Sequence, residues 1–70
     1  MRIILTKHAQ KRMIERNIKM KEIIETIDMP NYTITKNGKI ESYRIINYRT
    51  LKVVYSKKGK FIKIITLIWK

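Results

Sequence analysis

The most constraining feature of this sequence is its last apolar segment, Phe61–Trp69, which reads FIKIITLIW. A strand with one solvent face alternates apolar and polar residues, whereas this segment carries apolar side chains on both faces. We therefore predict a central strand that is covered on both sides, or nearly so. Simple alternation would place Ile65, Leu67 and Trp69 on one face, where Trp69 is expected to plug the core rather than to stack on a nucleobase.

Turn signals divide the preceding residues into further strands. Asn37-Gly38 is a strong signal for a tight hairpin, and further reversals are expected at residues 47–49 and 57–59. Strands that follow one another through short turns pair antiparallel, so this half of the chain is predicted to be a four-stranded meander. The predicted strands are Tyr32–Thr35, Lys39–Ile46, Leu51–Tyr55 and Phe61–Trp69.

The first half of the chain has helical periodicity. A short apolar strand, Ile3–Leu5, precedes Thr6, which is a good N-cap for a helix from Lys7 to about Arg16. A second helix is predicted from Met20 to Asp28. Residues 1–70 are thus expected to form one α+β domain in the order β-α-α-β-β-β-β. Its N-terminal strand and two-helix hairpin would pack on a twisted antiparallel sheet.

The charge balance points to an anionic partner. The 70 residues contain 17 Lys and Arg against five Asp and Glu, a formal net charge of +12. Self-repulsion at this charge destabilises a small domain, which favours a functional reason for it. RNA, DNA, an acidic protein or an anionic membrane could each be the counter-surface, and the short, mixed helices make the membrane the weakest of these. A merely solvated surface is the alternative.

Several chemistries are disfavoured by composition. Cysteine is absent, and one histidine among scattered acids offers no metal-ligand cluster. The only glycines, Gly38 and Gly59, fall in turns, so no phosphate-cradling loop is expected and no cofactor is predicted. No apolar run is long enough to span a bilayer or to resemble a secretory signal, which favours a cytoplasmic location.

The first helix contains the most specific pattern, HAQKRMIER. His8, Arg12 and Arg16 follow one another at four-residue intervals, so they lie on one slowly drifting stripe of the helix. Two guanidiniums and an imidazole in line suit successive phosphates, with the histidine able to move a proton. The structural interpretation is that the ring of His8 simply bonds the neighbouring backbone or the sheet, and that the two arginines pair with Glu15, Glu41 or the end of a helix.

The strands supply a second set of cations and aromatic residues. Tyrosines interleaved with cations are typical of single-stranded RNA binding, although tyrosine is also a common core filler in strands. The candidates are Arg44, Arg49, Lys52, Tyr43, Tyr48 and Tyr55.

The whole chain resembles a group of small microbial proteins described as a domain of unknown function. The resemblance rests on LTKHAQKRMIERNI, which contains a His-Ala-x-x-Arg-Met-x-x-Arg pattern, and on the terminal TLIW. This group is similar in fold to the RelE/ParE-like toxins, some of which cut mRNA while others act on gyrase. The present chain is shorter than those toxins and has no Tyr or His after its last strand.

The resemblance implies a metal-independent endoribonuclease, an mRNA interferase of a toxin–antitoxin system, covered by an acidic antitoxin and acting on RNA, in some relatives on the ribosome. The alternatives are a non-catalytic nucleic-acid- or ribosome-binding module and a gyrase-directed inhibitor of ParE type. The implied catalytic residues are His8, Arg12, Arg16, Arg44 and Tyr55, with proton transfer assigned to His8 or Tyr55 and charge stabilisation to the arginines. The residues expected to bind nucleic acid are Lys7, Lys11, Arg49 and Lys52.

Overall fold

Five strands and two helices follow one another in the predicted β-α-α-β-β-β-β order in the computed structural model, which describes residues 2–70. The class is α+β. The elements are β1 (Arg2–Leu5), α1 (Lys7–Glu15), α2 (Met20–Asp28), β2 (Tyr32–Lys36), β3 (Lys39–Ile46), β4 (Arg49–Lys58) and β5 (Phe61–Trp69).

The sheet is mixed, which corrects the expectation of an antiparallel sheet. Its order is β1-β5-β4-β3-β2, and strands β2 to β5 form the predicted antiparallel meander. Strand β1 instead pairs parallel to β5, with Ile3 opposite Ile62 and Leu5 opposite Ile64. A local apolar pattern does not encode strand direction. Here the chain leaves β1 through both helices and later returns, so that β5 lies parallel to β1. Strand β1 then covers the free edge of β5, the most apolar strand.

Strand β5 is interior, but it is covered on one face only. The helices lie against the face that carries Ile62, Ile64 and Leu67, whereas Phe61 and Lys63 on the other face are exposed. A bulge also overturns the predicted alternation. Val54 pairs with Thr66 and Tyr55 pairs with Ile64, so Ile65 is the extra residue and Ile64 shares the core face with Leu67.

Caps fix the ends of α1. Thr6 accepts a hydrogen bond from the amide of Ala9 at 3.0 Å, as an N-cap does. At the other end Asn17 adopts a left-handed φ of 50°, and the amide of Ile18 donates to the carbonyl of Met13 at 2.9 Å. This arrangement is a Schellman cap, and it turns the chain toward α2 within four residues.

One hydrophobic cluster joins the helices to the sheet. Helix α1, which carries fully buried Ala9, lies against β5, and α2, which carries fully buried Ile23, lies against β3 and β4. Leu51 and Val53 on β4 belong to the same cluster, and Tyr55 extends their row with only 4% of its surface exposed. Both helices lie on the face of the sheet that carries these side chains, so the residues between them on β4 point to the face that neither helix covers.

The face of the sheet opposite the helices is part aromatic and part charged. The rings of Tyr32 and Tyr43 stack with centroids 4.5 Å apart. The Tyr43 hydroxyl donates to Glu41 at 3.1 Å, and Lys52 lies 3.8 Å from the same carboxylate. Burial, reinforced by the bond to Glu41, raises the pKa of Tyr43.

Candidate nucleic-acid interface

The polar stripe of α1 runs beside the C-terminal half of β5. The exposed imidazole of His8 places Nε2 3.2 Å from the hydroxyl of Thr66. One Nη1 donor of Arg16 reaches the carbonyl of Leu67 at 2.7 Å. The first and last residues of the stripe therefore contact neighbouring positions of one strand, so the stripe is held at the surface against β5.

Arg12, the middle residue of the stripe, is paired with an acid. Its Nη1 lies 2.6 Å from Oε1 of Glu15. The hydrogen bond from this guanidinium holds the pKa of Glu15 below its usual value. Both side chains are partly exposed, so an anionic ligand can compete with Glu15 for Arg12.

Arg16 also belongs to a groove of about 250 Å³ at the C-terminal end of β5. The guanidinium of Arg49 lies over the ring of Trp69, with the central carbon 4.6 Å from the ring centroid. We call this site the cationic groove, because three of the side chains that line it are cations and one is an acid. It is lined by Arg16, Lys19, Glu22, Asn47, Arg49 and Trp69.

The acid of the cationic groove is already engaged. Oε1 of Glu22 accepts a hydrogen bond from the backbone amide of Lys19 at 2.8 Å, at the start of α2. A phosphate is suited to such a groove, because guanidiniums bind it through paired donors and ammonium groups as point charges.

Two of the predicted catalytic residues lie apart from this surface. Arg44 donates to the carbonyl of Met29 at 2.6 Å and lies 3.9 Å from Glu25, so it holds the C-terminal end of α2. Tyr55 is buried in the core beneath the helices. The structure therefore brings together His8, Arg12 and Arg16 but joins neither Arg44 nor Tyr55 to them.

The predicted nucleic-acid-binding residues are divided between two faces. Lys7 and Lys11 are exposed on α1, and Arg49 lines the cationic groove. Lys52 lies on the opposite face of the sheet, near Glu41 and over the ring of Tyr43 at 5.8 Å. The helix side thus carries most of the predicted set.

Sequence reasoning missed Lys19, Thr66 and the dual role of Trp69. Trp69 packs against the core, as expected, but its Nε1 also donates to the carbonyl of Arg16 at 3.0 Å, and its ring supports Arg49. Arg49 lies beside Trp69 because the start of β4 pairs with the C-terminal residues, and the sequence does not show this pairing. The carbonyl of Thr50 accepts a hydrogen bond from the amide of Lys70 at 2.7 Å.

A larger cavity, of about 540 Å³, lies at the opposite end of β5. It is lined by Arg2, Lys57, Gly59, Lys60 and Ile62. It is formed around the turn between β4 and β5, and although three of these residues are cations, neither the imidazole nor an aromatic ring lines it. We therefore centre the candidate interface on α1 and the cationic groove.

Among residues 2–70, no group of three or more His, Cys, Asp or Glu side chains is placed to hold a metal ion. Neither described helix is long and apolar enough to cross a membrane.

Fold and surface together define a small, basic α+β domain with a cationic helix stripe beside its last strand. The chain belongs to the family described as "Domain of unknown function (DUF4258)", whose model matches residues 5–69. That span includes the helix pattern and reaches Trp69. Comparisons with curated proteins and with solved structures found no match.

Proposed function

We propose that this domain binds single-stranded RNA on its α1 side and cleaves it as a toxin-like, metal-independent endoribonuclease of RelE/ParE type. The observation that carries the proposal is the exposed imidazole of His8, the chain's one histidine, on the same stripe as Arg12 and Arg16 beside β5. An acid–base group beside guanidiniums can promote phosphodiester cleavage without a metal, because one moves the proton and the others stabilise the developing charge.

The binding step uses the stripe and the cationic groove. Arg16 belongs to both, so a backbone that follows α1 toward its C-terminus continues into a groove that also holds Lys19 and Arg49. Phosphates neutralised along this path would release counterions, so affinity should fall steeply with salt. The formal net charge of +12 supports an anionic ligand that follows α1 into the cationic groove.

In the proposed reaction the ribose 2′-oxygen attacks the adjacent phosphorus. Neutral His8 accepts the 2′-hydroxyl proton, and the new P–O bond forms as the bond to the 5′-oxygen breaks. The departing oxygen takes a proton from water, which leaves a 2′,3′-cyclic phosphate and a 5′-hydroxyl. Arg12, released from Glu15, and Arg16 stabilise the extra negative charge of the pentacovalent phosphorus.

The same surface suits a protein partner. An acidic antitoxin of the kind that the resemblance implies would cover the α1 stripe through charge complementarity and exclude RNA. We assign this partner to the helix side because Lys7, Lys11 and the cationic groove all lie there.

A non-catalytic RNA-binding module is the second candidate. It is favoured by the positions of Arg44 and Tyr55, because one holds the end of α2 and the other is buried. Without them, the proposed reaction depends on His8 alone for proton transfer from the 2′-hydroxyl. A surface that binds RNA needs neither residue.

The test compares wild type with His8→Ala and Arg12→Ala, using Lys7→Ala as a control that removes a charge from the same helix turn. Each variant is first checked for its fold by circular dichroism. Cleavage of end-labelled single-stranded RNA, RNA affinity and, on induced expression, growth and new mRNA ends are then measured. We expect His8→Ala to slow cleavage by roughly 10²–10⁴-fold while it retains RNA affinity.

The outcomes separate the candidates. RNA binding without cleavage by wild type would establish the binding module instead. Equal cleavage by wild type and His8→Ala would remove His8 from the reaction. Absence of both binding and cleavage, with normal growth, would overturn the whole proposal.

A further inference from the structure

The hairpins β2–β3 and β3–β4 have the same two-residue turn but different second residues. Asn37 and Gly38 have φ values of 52° and 74°, and Asn47 and Tyr48 have φ values of 50° and 68°. Positive φ at both central positions is the type I′ geometry, which matches the twist of the flanking strands. A tyrosine therefore stands at the position that glycine occupies in the neighbouring hairpin.

The backbone of Tyr48 is strained. A left-handed φ brings Cβ close to the backbone, a cost that glycine avoids and that asparagine partly offsets through local hydrogen bonds. Burial of the ring does not repay that cost, because Tyr48 is fully exposed, at 103% relative accessibility. Strain at an exposed aromatic residue is a reason to look for a function.

The position of the turn suggests what that function is. Asn47 and Arg49, the neighbours of Tyr48 on either side, both line the cationic groove with Arg16 and Trp69. The exposed ring thus stands at the edge of a site suited to phosphate. An aromatic ring beside cations is the combination with which proteins hold single-stranded nucleic acid, because every base has a face that stacks.

We propose that Tyr48 is a base-stacking residue: its ring packs on a base of single-stranded RNA whose phosphate lies in the cationic groove. This inference rests on the RNA-binding part of the proposed function and is independent of cleavage. It also predicts opposite effects on stability and binding. Removing the strained ring should make the domain more stable and should weaken its binding of RNA.

The test uses Tyr48→Gly, Tyr48→Trp and the exchange variant Gly38→Tyr/Tyr48→Gly. The exchange variant has the composition and charge of wild type but presents its tyrosine on the other hairpin. The probe is a short single-stranded RNA that carries 2-aminopurine, whose fluorescence is quenched on stacking. Affinity is measured by anisotropy at several salt concentrations, and stability is measured by thermal unfolding.

We expect Tyr48→Gly to raise the melting temperature and to weaken RNA binding by about 5- to 150-fold, the range for losing one stacked base. Its salt dependence should equal that of wild type, since no phosphate contact is lost. Tyr48→Trp should keep affinity and quenching, and the exchange variant should recover neither.

Wild-type affinity and quenching in Tyr48→Gly, or recovery of both in the exchange variant, would overturn the base-stacking role. A lower melting temperature for Tyr48→Gly would show that the ring has a structural role instead. If the wild type binds no RNA, this inference and the proposed function fail together. If wild type binds RNA with the expected salt dependence and the Tyr48 variants have the same affinity and quenching as wild type, this inference alone fails.

Discussion

The indole Nε1 of Trp69 donates a hydrogen bond to the carbonyl of Arg16 at 3.0 Å, and the side chain of Arg16 donates to the carbonyl of Leu67 at 2.7 Å. The end of α1 and the end of β5 are thus tied in both directions. The carbonyl of Arg16 lies where a helix runs out of intrahelical donors, so the indole supplies a bond that the helix cannot. This tie fixes the wall of the cationic groove that Arg16 shares with Arg49.

Trp69→Phe should therefore cost stability and loosen the groove. The variant keeps an aromatic ring but leaves a half-buried carbonyl without its donor, and we expect a loss of about 1–2 kcal/mol in the free energy of unfolding. Urea denaturation measures this loss. Phe61→Leu, at the exposed beginning of the same strand, is the control and should change stability little. Equal urea midpoints for Trp69→Phe and wild type would show that the tie contributes nothing.

Arg44→Ala should behave as a stability variant and Arg49→Ala as a binding variant, although each removes one positive charge. Arg44 bonds the carbonyl of Met29 near the C-terminal end of α2, where a cation also complements the helix dipole, so its loss should cost about 2 kcal/mol. Arg49→Ala should weaken RNA binding and lower the salt dependence by about 0.7 in logarithmic slope, one phosphate contact. The reverse assignment would place the RNA on the Arg44 side.

Local signals in the sequence were sufficient for the element order. Thr6 and Asn37-Gly38 act within a few residues, and both helices begin and end close to the predicted positions. Two features were not accessible. The parallel pairing of β1 depends on where a long connection brings the chain back. The bulge at Ile65 depends on the register in which β5 pairs with Val54 and Tyr55 of β4.

The candidate site shows the same division. The stripe of His8, Arg12 and Arg16 follows from helix geometry alone, and the structure keeps it on one surface. Arg44 and Tyr55 were assigned by residue type on strands, where one position decides between the core and solvent. For Tyr55 the alternation carries a signal, because Tyr55 shares a strand face with Leu51 and Val53, both of which are buried. The contact of Arg44 with the end of α2 depends instead on which element covers that part of the sheet.

Glu15→Gln should tighten RNA binding, because it frees Arg12 without changing the backbone of α1. The pKa of Glu15 in the folded chain lies below its usual value, so the ion pair persists above that folded-state pKa and is lost as pH falls through it. Lowering the pH of wild type through that range should therefore reproduce part of the gain. Anisotropy titrations of the RNA measure both effects.

The control for Glu15→Gln is Asp28→Asn, which removes the same negative charge from the exposed end of α2. A general effect of net charge would strengthen RNA binding equally in both variants. Release of Arg12 predicts a larger gain for Glu15→Gln. Equal gains would therefore assign the effect to charge and not to the Arg12–Glu15 pair.

Tyr43→Phe should make stability less sensitive to alkaline pH. Burial is the larger cause and the hydrogen bond that the Tyr43 hydroxyl donates to Glu41 is the next. Both raise the pKa of Tyr43 above its ordinary value near 10.0. The folded chain then holds the phenol proton more tightly than the unfolded chain, so this contribution is complete below the unfolded pKa and is lost as pH rises through the folded pKa. Phenylalanine keeps the stacking on Tyr32 but has no proton to lose.

Urea unfolding of both proteins from about pH 9 to about pH 11 measures the difference. At the lower pH, Tyr43→Phe should be less stable by about 1 kcal/mol, because the bond to Glu41 is missing. The gap should then narrow as pH rises, since only wild type loses the contribution of the phenol. Titration of lysines distant from Tyr43 affects both proteins alike and cancels, and a Lys52→Arg background in both proteins removes the titration of the lysine that lies over the Tyr43 ring. Parallel curves would show that Tyr43 releases its proton equally readily in the folded and unfolded chains.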